Sequence, residues 1–98
     1  MKELFIPPKA EDDPEALEIA RVWIAHKGQH VSLRTGAWRK NPSAWGIMLC
    51  DLAHHVANAY EQEGCGTHRE IFREIVDLFN AEAEAPTDEV LGKVVPRQ

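Results

Sequence analysis

The densest run of β-branched and aromatic residues is "LEIARVWIAHKGQHVSLR", residues 17–34, interrupted by Lys27-Gly28. A two-residue turn there, with Gly28 supplying the positive φ that a tight hairpin demands, predicts a fixed register. His26 faces Gln29, Ala25 faces His30, Ile24 faces Val31, Trp23 faces Ser32 and Val22 faces Leu33. Opposed residues share a face, so Val22, Ile24, Val31 and Leu33 form one apolar side, expected to pack on helices. The other side is mixed, with Arg21, Trp23, Ala25, His30, Ser32 and Arg34. A slip of one residue would spoil the segregation.

The period then changes from two to 3.6. Over residues 41–63, Trp45, Met48, Leu49, Leu52, Val56, Ala59 and Tyr60 fall in one arc of a helix. Asn41 is placed to cap this helix and Pro42 to occupy its first position. Gly64 and Gly66 end it. "THRE" announces a second helix, residues 67–83, with Thr67 as cap and Glu70 three residues on. Its broad apolar face is Ile71, Phe72, Ile75, Leu78 and Phe79. So short a connection makes the two helices antiparallel neighbours.

The ends are less patterned. Residues 1–16 hold a short apolar patch, Leu4-Phe5-Ile6, then prolines and the acidic "AEDDPE", and read as a flexible or edge-strand arm. Residues 84–98 read as a polar tail, with a turn of helix or an extended piece at "DEVLGKVV". The expected architecture is a single α+β domain: a β-hairpin packed on an antiparallel pair of helices, with an extra edge strand from the N-terminus. A lone hairpin is marginal in water. A third strand, a terminal segment or a partner chain is needed to cover Trp23, and a symmetric dimer that pairs edge strands is an economical solution.

Composition adds limits. At 98 residues, 44% hydrophobic and 28% charged, the chain has the make-up of a globular domain, not of a disordered or membrane chain. Pro7 and Pro8 break the apolar run after Met1, so no secretory core segment is expected, and a cytoplasmic location follows. Cys50 and Cys65 stand about 20 Å apart along the helix, beyond the ~7 Å reach of a disulfide. The net charge of −5 hides a basic centre: residues 1–18 carry −4, 19–50 carry +5 without an acid, and 51–98 carry −6. A basic centre is a candidate anion site. Acidic flanks that neutralise it are the simpler expectation, and a net-negative chain makes nucleic acid an unfavoured partner.

Three groups of residues are candidates for chemistry. Asp51 and His55, spaced i, i+4 in "DLAHHVANAY", are helical neighbours, whereas His54 points to the middle of the solvent face. Two ligands are too few for a zinc site, so a surface pair is expected. Cys65 and His68 in "CGTH" have ligand-like spacing, but they lie roughly 12 Å from His55 and are again only two. Cys50 projects well away from His55, so no activated nucleophile is evident, and "GCG" lacks the lysine of a phosphate loop. No cofactor and no catalytic residue are expected. The third group, Arg21, Trp23, His30, Arg34, Trp38, Arg39 and Lys40, joins aromatic surface to positive charge. That composition suits a protein interface or a surface that grips anions or bases.

The run "RVWIAHKGQHVSLRTGAWRKNPSAWGIMLCDLAHHVANAY", through the order "VWI…G.HVSL…W…P.AWG…L.DL..H", resembles a family of short single-domain bacterial proteins of unknown function. The similarity covers close to half the chain. It implies a bacterial cytosolic protein and carries over no activity and no site residue. The functional expectation is a non-enzymatic interaction domain, a homodimer that engages a protein partner. The alternative is a binding module for an anionic ligand or nucleic acid through the basic, aromatic hairpin face. A metal-dependent enzyme around Asp51 and His55 ranks third.

Overall fold

The computed structural model describes residues 2–85 and 92–97. The chain divides into two compact units, Met1–Ala37 with Leu91–Gln98, and Trp38–Val90. The first contains a short helix α1 (Pro8–Glu11) and strands β1 (Ala20–Ala25), β2 (Gly28–Arg34) and β3 (Val94–Arg97). The second contains the helices α2 (Ala44–Gln62) and α3 (His68–Glu84). The class is α+β, as expected: a hairpin extended by one strand, and a pair of helices.

The hairpin forms one residue earlier than its glycine suggests. His26 (φ 50°) and Lys27 (φ 63°) carry the two positive φ angles of a type I′ turn, and Gly28 opens β2 instead. The ladder pairs Ala25 with Gly28, Ile24 with Gln29, Trp23 with His30, Val22 with Val31, Arg21 with Ser32 and Ala20 with Leu33. Relative to the expected register the partner of each β1 residue moves by two. An even shift preserves parity, so Val22, Ile24, Val31 and Leu33 still share a face, opposite Arg21, Trp23, His30 and Ser32. The alternation fixes which residues share a side, and turn chemistry alone decides which ones meet.

The third strand comes from the other end of the chain. Leu4-Phe5-Ile6 forms no strand, and Leu4 and Phe5 are almost fully exposed. Residues 94–97, expected to lie in a polar tail, instead pair in parallel with β2, Val31 beside Val94 and Arg34 beside Arg97, giving the sheet order β1-β2-β3. The Val31 N–H donates to the Lys93 carbonyl at 2.8 Å, and the Thr35 hydroxyl donates to the Arg97 carbonyl at 3.0 Å. Gly92 (φ 124°) admits this approach, because a Cβ there would overlap the Gln29 carbonyl oxygen. The first part of "DEVLGKVV", residues 88–91, lies outside the described residues.

In the helical unit α2 starts at Ala44, later than expected. Residues 41–44 make a turn in which the Ala44 N–H donates to the Asn41 carbonyl. The Asn41 side chain is taken by the Ser43 hydroxyl at 2.6 Å, so it does not cap the helix. The end of α2 is a Schellman motif: Gly64 (φ 76°) donates to the Glu61 carbonyl and Cys65 to that of Tyr60. Thr67 caps α3 as predicted, its Oγ1 accepting from the Glu70 N–H at 3.2 Å. The Glu61 carboxylate accepts a second free N–H at that terminus, from His68 at 2.9 Å.

The helices meet through a face of α2 that its apolar arc does not predict. Ala57 is fully buried, and Ala53 and His54 are half-buried beside it, while Leu49, Leu52, Val56 and Tyr60 each stay 38–48% exposed. On α3 the half-buried residues are Ile71, Phe72, Ile75 and Val76, whereas Leu78 and Phe79 are exposed. Small side chains let two helices approach closely. The alanine pair at i, i+4 therefore wins the contact with α3, and the larger residues are left over.

Candidate functional site

Three rings, His54 from α2 and His68 and Phe72 from α3, form a side-chain cluster among the described residues. His54 Nδ1 lies 3.0 Å from His68 Nε2, a part-buried hydrogen bond in which one ring donates and the other accepts. The His54 ring also stacks on Phe72, centroids 3.9 Å apart and planes 5° apart. Phe72 lies one helical turn after His68, so the three rings form a short stack between the helices. This corrects the expectation that His54 faces solvent. The signal was present in Ala53 and Ala57, whose side of the helix His54 shares, but a count of large apolar residues overlooks it.

The stack also separates a predicted pair. His68 turns to His54, and the Cys65 thiol lies against the Glu63 carbonyl at 3.8 Å. Both cysteines are free and exposed. Asp51 and His55 are exposed, and among the described residues no hydrogen bond or ion pair joins them. They line an open hollow of about 490 Å³ with Trp38, Ala44, Ile47, Met48 and Leu52, mostly apolar. Among the described residues no group of three His, Cys, Asp or Glu side chains is arranged to hold a metal ion. Among the described residues neither weak metal candidate, Asp51 with His55 or Cys65 with His68, gains a third ligand.

The basic and aromatic residues divide between the units. In the sheet, the Arg21 Nε donates to Glu18 at 2.8 Å and its Nη1 to Glu3 at 3.0 Å. The hydrogen bond to Glu18, then the charges of Glu18 and Glu3, raise the guanidinium pKa above its ordinary value. Arg34 donates from Nε to the Glu18 carbonyl at 2.9 Å. His30 serves as a strut: its Nδ1 accepts from the Lys93 N–H at 3.2 Å, which leaves Nε2 to donate to the Ala25 carbonyl at 3.1 Å. Trp23, across the ladder from His30, is half-buried. In the helical unit Trp38 meets Trp45 edge to face, centroids 5.0 Å apart, while Arg39 and Lys40 are exposed. The acidic flanks thus occupy part of the basic centre from within the chain.

Residues 3–87 match the family described as "Domain of unknown function (DUF5076)". The chain belongs to this family. The match includes the hairpin and both helices, and stops short of β3. No curated protein matches. Among solved structures the chain is similar to one described as a "putative pyruvate dehydrogenase from the photosynthetic bacterium Rhodopseudomonas palustrus CGA009". That likeness has 31% identity and a TM-score of 0.70, and covers 93% of this chain and 92% of the other. Among the described residues no helix is long and apolar enough to cross a membrane.

Proposed function

We propose that this member of the family is a non-enzymatic interaction domain that associates with a second copy of itself and acts in the cytoplasm as a protein-binding unit. The observation that carries this reading is the apolar surface each unit leaves uncovered. In the sheet Val22 is 58% and Ile24 77% exposed, and in the helical unit the arc Leu49, Leu52, Val56 and Tyr60 is not used against α3. Scattered exposed apolar residues are ordinary, but a contiguous arc along one helix marks an interaction surface. Covering it with a like surface needs no further component.

The alternative, capture of an anionic ligand on the hairpin, is weakened where it needs strength. Arg21 is already held by Glu18 and Glu3, and any anion has to displace them. The name printed for the similar bacterial protein suggests an oxidoreductase. That name belongs to the similar protein, and no residue cluster described above supplies a catalytic group for such a reaction here. Sedimentation equilibrium over a range of micromolar concentrations tests the proposal. A reversible dimer is the expected result, and a monomer throughout contradicts it.

A further inference from the structure

The sheet has two edges, and they are not alike. On β3 the Lys93 carbonyl faces β2, so alternation turns the backbone of Val94 and Pro96 outward. Pro96 offers no N–H to a further strand, which blunts that edge. On β1 the Ile19 carbonyl accepts from the Arg34 N–H, so Ile19, Arg21, Trp23 and Ala25 direct their backbone groups toward β2. Ala20, Val22 and Ile24 direct theirs outward, and among the described residues nothing bonds to them. This edge has no proline, and its single charged residue, Arg21, lies on one face of the sheet. Apart from Arg21, whose charge is already paired with Glu18 and Glu3, it lacks the usual guards against strand addition.

We infer that β1 is the seam of self-association, pairing antiparallel with β1 of a second copy about a two-fold axis at Val22. This rests on the self-association proposed above and names its surface. The sequence "ARVWIA" is complementary to itself in that register. Outward-facing residues must meet outward-facing residues, and centring on Val22 pairs all three of them, whereas centring on Trp23 pairs only two. Val22 then pairs with Val22 of the second copy, and Ala20 with Ile24, forming about six new backbone hydrogen bonds. On the same face all these side chains are apolar. On the opposite face Arg21 meets Trp23 of the second copy, twice, a guanidinium beside an indole. The product is one continuous sheet, ended on both sides by a Pro96-bearing strand.

Val22→Pro is the discriminating variant. It deletes an N–H that the hairpin does not use, in a strand position whose extended backbone suits proline and the residue before it. The dimer dissociation constant is expected to rise at least roughly tenfold, while the amide signals of the β1–β2 ladder persist. Ile24→Lys, which places a charge on the same edge without touching the backbone, is expected to act the same way. If Val22→Pro fails to fold, hydrogen exchange of the unaltered protein decides. Amides of Ala20, Val22 and Ile24 that gain protection with concentration support the seam, and unprotected amides in a stable dimer overturn it. Variants that fold and dimerise like the parent also overturn the seam, yet leave self-association standing on another surface. A parent chain that stays monomeric removes both.

Discussion

His26 and Lys27 hold a left-handed turn that glycine and asparagine adopt with less strain. Replacing the pair by Asn-Gly should therefore stabilise the hairpin by about 1 kcal/mol, read as a higher denaturation midpoint with an unchanged slope. No change would mean that the turn conformation is not the native one. Gly92 makes the opposite case. In Gly92→Ala the new methyl collides with the Gln29 carbonyl, so β3 should lift from β2 and the Val31 amide, bonded to Lys93, should exchange faster. Unaltered exchange would contradict the close approach. Residue chemistry also explains what was hidden in the sequence here. Lys27-Gly28 is the stronger turn signal on composition, but turn type depends on two successive positive φ angles, and no rule of composition forbids His-Lys from taking them.

At the scale of elements, period and caps were legible and partners were not. Thr67 with Glu70, the glycines after Gln62 and the parity of the hairpin faces all follow from local chemistry, and each stands where the pattern puts it. The start of α2 does not, because Ser43 competes for the Asn41 side chain. Nor does β3, since two valines before a proline are too short a signal to mark a strand joined to β2 from the far end of the chain. Which face of α2 meets α3 is a question of fit, answered by Ala53 and Ala57 and not by the hydrophobic arc. Ala57→Leu should accordingly destabilise the helical pair by about 1–3 kcal/mol, measured by chemical denaturation, whereas Val56→Ala on the neighbouring exposed arc should cost the pair far less. Equal losses would place the arc inside the pair. The His54 and His68 rings belong to this same contact, so they are better explained as part of the packing than as ligands.

For the whole molecule, charge and apolar surface lead to the same reading. The basic centre is partly answered by Glu3 and Glu18 within the chain, which removes the simplest reason to expect an anionic ligand. Each unit, taken by itself, also carries exposed apolar side chains: Val22 and Ile24 on β1, and Leu49, Leu52, Val56 and Tyr60 on α2. Self-association through the β1 edge joins the Val22 and Ile24 faces of two copies into one wider apolar sheet face without any component beyond the chain. Native mass spectrometry of the purified protein at low micromolar concentration tests this most directly, because one spectrum reports both subunit number and retained ligand. The account predicts a dimer at twice the chain mass with nothing added. A monomer would contradict self-association, and a stoichiometric adduct would contradict the assignment of a ligand-free interaction domain and return attention to the basic face and the hollow beside Trp38.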